Sequence, residues 1–188
     1  MKPILFNTEM VKAILERRKT TTRRIIKLPK CGYFEIEPPR VKEPYIVGDI
    51  LYVRETWSIL DGRYIYKADD PSPAGWHQTS WHPSIHMPKK AARLFLRVTN
   101  VRVARLQDIS NEDIINEGVR TGVVKHYENQ MPYEESENVR YAHEIAFTDL
   151  WNSTIKTGDY DLYSWEANPW VWVIEFERIS KEEAYGKS

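Results

Sequence analysis

The chain has a single cysteine, Cys31, among its 188 residues. No internal disulfide can form, and a zinc site built on several cysteines is excluded. No apolar run approaches the roughly 20 residues that a membrane-spanning helix requires. Residues 1–6 are too short for the apolar stretch of a secretory signal, so a cytoplasmic protein is expected. Net charge is missing as well: 27 Lys and Arg balance 27 Asp and Glu. Proteins that wrap duplex DNA carry a large positive excess. Any nucleic acid expected here is therefore small or single-stranded and held at one local patch. No glycine-rich phosphate loop is present, which argues against an NTP as partner. No Gly-x-Ser-x-Gly elbow is present either. Repeats and low-complexity tracts are absent. Strands and helices do not alternate in the βαβ manner, so the reading is α+β rather than doubly wound.

Aromatic residues are plentiful instead. Seven tryptophans and eleven tyrosines exceed what a core of this size takes up, so some rings are expected on a binding surface. Hydrophobic residues make up 41%, enough for one domain over 1–180 with insertions near 69–90 and 121–138. Residues 181–188 read as a polar tail.

The densest feature is Arg17-Arg18-Lys19-Thr20-Thr21-Thr22-Arg23-Arg24, five cations and three hydroxyls with no acid among them. Val11, Ile14 and Leu15 recur at helical spacing behind Thr8, a cap candidate, so a helix is predicted over 8–19. Arg17, Arg18 and Lys19 then fall in its last turn, where cations suit the helix dipole. The β-branched threonines favour an extended exit. A basic run is often no more than a solvated helix end. Here hydroxyls are interleaved with the charges, which makes Thr20, Arg23 and Arg24 candidates for gripping an acceptor-rich ligand.

A short strand is expected at 2–6 and a structured, proline-rich loop at 28–44. Segments 50–59 and 63–67 flank Asp61-Gly62, a favoured hairpin turn. A long loop follows at 69–90, and long ordered loops often carry function. Residues 92–103 read as a strand whose apolar parity flips near Thr99-Asn100, the bend that closing a small barrel requires. Ser110 caps a short helix between the staple positions Ile109 and Ile114, and Gly118 stops it. Ala142, Ala146, Phe147, Leu150 and Trp151 mark another amphipathic helix, and 170–176 reads as a central strand. The insertion at 121–138 has no assignment.

Three groups carry candidate chemistry. Glu117, in the last turn of its helix, faces the negative end of the dipole; it is either an ordinary surface glutamate or a carboxyl poised to move a proton. Arg54, Glu55 and Trp57 alternate on one predicted strand, Arg54 on one face and the other two opposite. Trp57 is then either a packed core ring or a stacking platform, with Glu55 as an acceptor for a base amino group. Trp81, Ser84 and His86 lie in the proline-rich loop, as packed surface or as a specificity rim. The spacing of His77, His82 and His86 invites a metal reading, but Pro83 and Pro88 disfavour a shared helical face, and no metal is expected.

The run Lys19-Thr20-x-Thr22-x-Arg24 followed by Gly48-Asp49-Ile50-Leu51-Tyr52-Val53-Arg54-Glu55-Thr56-Trp57 resembles the ASCH family. Trp81-x-Pro83-Ser84-Ile85-His86-Met87-Pro88 and Asn168-Pro169-Trp170-Val171-Trp172-Val173 extend the likeness to the longer ASCH proteins of phages and prophages. The resemblance covers most of the chain and weakens over 121–139. It implies a PUA-like mixed small β-barrel flanked by helices. One branch of the family removes the acetyl group of N4-acetylcytidine, and its catalytic lysine, threonine and glutamate fall on Lys19, Thr22 and Glu117. Where that branch usually has a glycine, this chain has Arg17, which bears on backbone freedom at the helix end.

The implied chemistry needs neither cofactor nor metal. Like charge from Arg18, Arg23 and Arg24, with partial burial, favours a neutral Lys19 amine. That amine activates Thr22 or a water. Arg24 or a backbone N–H stabilises the oxyanion, and Glu117 protonates the departing cytosine amine. The expected partner is RNA or a modified nucleoside; the alternatives are a non-catalytic RNA-binding module and a ribonuclease.

Overall fold

The computed structural model describes residues 1–27, 41–70, 80–128 and 135–186. In chain order it runs β1 (Lys2–Leu5), α1 (Thr8–Leu15), β2 (Thr21–Ile25), β3 (Ile50–Arg54), β4 (Trp57–Leu60), β5 (Arg63–Tyr66), β6 (Phe95–Arg105), α2 (Asn111–Asn116), α3 (Thr121–Glu128), α4 (Glu135–Asn152), α5 (Tyr160–Tyr163), β7 (Trp170–Ile179) and α6 (Lys181–Ala184). The fold is α+β. A five-stranded mixed sheet has the order β1-β3-β6-β7-β2, and β4 and β5 form a separate hairpin. β1 lies parallel to β3, while β3 with β6 and β2 with β7 are antiparallel. Among the described residues the sheet ends on β1 and β2, and no helix is long and apolar enough to cross a membrane.

The chain divides into two compact units. The first comprises Met1–Arg17, Val47–Thr99 and Phe176–Ser188. Ile4, Val11, Ile14, Leu51, Val53, Leu96 and Val98 are buried in it, each such side chain contributing about 1.5–3 kcal/mol. A second cluster in this unit joins Met87, Ala91, Ala92, Phe95, Ile179 and Ala184. The second unit comprises Arg18–Ile46 and Asn100–Glu175. Its core gathers Leu106, Ile114, Val119, Val124, Ala142, Ala146, Phe147, Trp151, Val171 and Val173.

Several sequence expectations change. Asn7, not Thr8, caps α1, its side chain accepting from Met10 N at 2.9 Å. The helix ends at Leu15 rather than Lys19, because Arg17 takes a left-handed φ of 59° and turns the chain. Arg17, Arg18 and Lys19 therefore leave the last turn, and Thr21 and Thr22 open β2. The strand expected over 50–59 breaks at Glu55-Thr56 into β3 and β4, which belong to different sheets. The Asp61-Gly62 hairpin forms, with φ of 49° and 73° at its two turn residues. β6 begins at Phe95 and runs on to Arg105.

The insertion contains α3, and α4 starts back at Glu135. Lys181–Ala184, read as part of a polar tail, form α6 behind a Ser180–Glu183 capping box, with Ala184 buried. In the expected long loop, Pro83 and Pro88 each precede a 3-10 turn, Ser84–His86 and Lys89–Ala91. Most of the loop at 28–44, with Cys31, lies outside the described residues, and so does His77.

Candidate functional site

α2 is only six residues long, and Ser110 caps its start by accepting from Asp113 N at 3.1 Å. Its end leaves carbonyls without helical partners at the negative pole of the dipole. The segment leaving α1 supplies those partners. Thr20 N donates to Asn116 O at 2.9 Å, Arg18 Nη1 to Gly118 O at 2.6 Å and Lys19 Nζ to Glu117 O at 2.8 Å. Gly118, at φ 94°, turns the chain away.

Lys19 Nζ also donates to Thr21 O at 2.7 Å and to Glu117 Oε2 at 2.7 Å. The side chains of this pair are 0% and 5% exposed. The other Glu117 oxygen accepts from Arg23 Nη1 at 3.1 Å, while Arg23 Nη2 donates to Asp113 Oδ2 at 2.7 Å. Asp113 Oδ2 also accepts from Arg102 Nη2 at 3.0 Å. Charge thus alternates along Lys19, Glu117, Arg23, Asp113 and Arg102, which lowers the cost of burying each member. Thr22 is buried on β2 opposite Ile174, Arg24 is half-buried, and Thr20 is exposed.

The Lys19 pKa is lowered, chiefly by burial. Glu117 opposes that shift by charge and hydrogen bond, while Arg24 and Arg23 reinforce it. Burial therefore dominates, whereas the sequence put like charge first. Burial also lowers the Arg24 pKa, against the attraction of Glu117 and Tyr45.

Arg54, Glu55, Trp57, Trp81, Ser84 and His86 belong to the first unit, whereas Lys19, Thr20, Thr22, Arg23, Arg24 and Glu117 belong to the second. Arg54 Nε donates to Met87 O at 3.0 Å, and its Nη2 donates to Ile85 O. Glu55, 1% exposed, takes Arg93 in a bidentate pair, Nε to Oε1 and Nη2 to Oε2, both at 2.9 Å. Both carboxylate oxygens are engaged in this pair. Burial raises the Glu55 pKa, Arg93 pulls it down, and Asp69 adds to the rise. Burial works against the Arg93 charge, but hydrogen bonds to Glu55 and Asp69 outweigh it and raise its pKa. The Arg93 guanidinium lies 3.9 Å from the centre of the Tyr66 ring, and Tyr66 Oη donates to Ala91 O at 2.6 Å.

Trp57 is half-buried, its ring 4.9 Å from His82 and 5.7 Å from Tyr64, centre to centre. Backbone bonds tie it to His82 in both directions. Lys67 Nζ stands 5.1 Å from the centre of the Trp81 ring, and Ser84 and His86 bracket one 3-10 turn. Among the described residues, no group of three His, Cys, Asp or Glu side chains is placed to hold a metal ion.

No protein-family model matches the chain, and no curated protein does. Among solved structures the chain is similar to the crystal structure of protein EF3133 from Enterococcus faecalis V583, of the DUF984 family. The likeness has 14% identity and a TM-score of 0.40, and covers 94% of this chain and 72% of that one.

Sequence reasoning missed Arg102, Asp113 and Arg93. Asp113 lies in the first turn of α2, where an acid suits the helix dipole and by itself marks no partner. Arg102 and Arg93 sit in or next to a strand, where nothing local marks a partner. The Lys19–Glu117 pair is chemically the richest arrangement: an amine made less basic by burial touches a carboxyl, so one proton can pass between them across 2.7 Å.

Proposed function

We propose that the chain is an ASCH protein with a PUA-like β-barrel architecture. In this reading the Lys19–Glu117 site takes a modified nucleoside or a splayed RNA base and hydrolyses an N4-acylcytidine-type amide. The observation that carries the reading is the 2.7 Å contact between Lys19 Nζ and Glu117 Oε2, with a lowered amine pKa. The motif resemblance supports it by placing catalytic roles on Lys19, Thr22 and Glu117.

In its neutral form, which burial favours, the Lys19 amine takes a proton from a water or from the Thr22 hydroxyl as that oxygen attacks the acyl carbon; on the Thr22 route a water then cleaves the acyl-threonine ester and frees the acid. Arg24 or a backbone N–H meets the oxyanion. Lys19 then passes a proton to Glu117, which delivers it to the leaving cytosine nitrogen as the C–N bond breaks. Thr20, Arg23 and Arg24 bind the substrate beside them. General acid–base action of this kind is worth about 10²–10⁴-fold.

One observation favours a second reading, an RNA grip without chemistry. The Lys19 ammonium has three acceptors and no exposure, which also suits a structural ion cluster. A panel of modified nucleosides and short RNAs, with products analysed by mass spectrometry, separates the readings. Hydrolysis predicts cytidine and acetate from N4-acetylcytidine, lost by about 100-fold or more in a folded Lys19→Ala variant. Binding without product supports the grip, and cut RNA supports a nuclease.

A further inference from the structure

Arg23 carries a donor that the fold leaves unused. Its side chain is 1% exposed, and both terminal nitrogens are committed, Nη1 to Glu117 and Nη2 to Asp113. Nε is buried and meets no hydrogen-bond partner among the described residues. A buried donor left unmade is destabilising, the more so on a charged group. The guanidinium cannot swing to relieve this. Two carboxylates hold it, and Asp113 is itself held by Arg102 and by its place in the first turn of α2. The Phe147 ring, 6.0 Å from the guanidinium carbon, adds an apolar wall that offers no acceptor.

We infer that Arg23 Nε–H is the docking donor for the acyl oxygen of the substrate. The inference rests on the Lys19–Glu117 reading above, and it adds a contact that the motif resemblance does not assign. Glu117 is shared: Oε2 faces Lys19 and Oε1 faces Arg23. A carbonyl held by Arg23 is therefore brought beside the same carboxyl that serves the amine. Two carboxylates already offset the Arg23 charge, so the remaining Nε–H suits a neutral carbonyl better than a phosphate. Nε and Nη2 lie on one edge of a guanidinium, which puts Asp113 next to the docked atom and disfavours an anion there. Arg23 is a binding contact in this role, distinct from the groups that move protons.

Two cytidines test it on the full chain. N4-methylsulfonylcytidine presents acceptor oxygens and resists hydrolysis, whereas N4-ethylcytidine has the same reach and no acceptor. Calorimetry on the wild type should show the sulfonyl compound binding about 10- to 100-fold tighter. Arg23→Lys, which keeps a cation and removes Nε–H, should erase that preference. The arginine Nε–H signals in ¹⁵N NMR give a second readout that needs no folded variant. The Arg23 signal, assigned through the chain, should move with the sulfonyl compound and stay still with the ethyl one.

Equal affinity for the two compounds, or a still Arg23 signal with both, overturns the inference and leaves Nε to water. An acceptor-dependent preference in a protein that releases no acetate would sink hydrolysis and leave this contact standing.

Discussion

Lys19 holds a buried charge that only its partners make tolerable. Glu117 and two backbone carbonyls surround its ammonium, and burial still pulls its pKa down. Removing one member of such a pair leaves the other stranded. Lys19→Met should cost about 3–5 kcal/mol in urea unfolding, and the double variant Lys19→Met/Glu117→Gln should cost clearly less than the sum of the singles. Strict additivity would show that the two groups do not interact.

The pH dependence has a definite sign. Between the lowered folded pKa of Lys19 and its ordinary 10.5, the unfolded chain binds a proton that the folded chain does not. Stability should therefore rise with pH through that window relative to Lys19→Met, by at most about 1.4 kcal/mol per pH unit. A falling difference would mean that Glu117 outweighs burial.

Among the elements, those specified by their own residues were legible. Asp61-Gly62 accepts positive φ at both turn positions, so the β4–β5 hairpin could be read directly. Ser110 and Gly118 likewise bracket α2. The break between β3 and β4 was hidden: Glu55 N donates to Met87 Sδ at 3.2 Å, a contact 32 residues away that nothing local marks. α3 was hidden for a different reason: Thr121, Gly122, Val123 and Val124 are weak helix formers, and its stability comes from packing Val124 and Tyr127 on the second core.

The end of α1 was misplaced because an arginine does what glycine usually does. Arg17 sits at φ 59°, with its N–H on Ile14 O at 3.1 Å. A left-handed non-glycine residue costs about 1–2 kcal/mol, partly offset by the greater freedom glycine has when unfolded. Arg17→Gly is therefore expected to stabilise the protein by about 0.5–1 kcal/mol, seen as a higher melting temperature. A lower one would mean that the Arg17 side chain matters more than its backbone.

At the scale of the molecule, neither compact unit is a continuous piece of chain, and β6 and β7 contribute to both. Such an arrangement is invisible to local pattern. So is the site: Lys19 and Glu117 lie 98 residues apart, and only the motif resemblance named them together. The strap of residues 18–20 over the end of α2, which explains why they meet, has no sequence signature beyond scattered cations. The zero net charge bears on partners at this scale. If RNA binds, only a local patch engages phosphates, so a plot of log affinity against log salt should slope about −1 to −3. A slope steeper than about −6 in fluorescence anisotropy would place far more phosphates on the protein than this charge balance supports.

The most direct measurement is single-turnover acetate release from N4-acetylcytidine by the wild type, Lys19→Met and Glu117→Gln under identical conditions, with folding checked by circular dichroism. The expected result is release by the wild type and a loss of about 100-fold or more in each folded variant. No release by the wild type, or an undiminished rate in Lys19→Met, would contradict a catalytic Lys19–Glu117 pair.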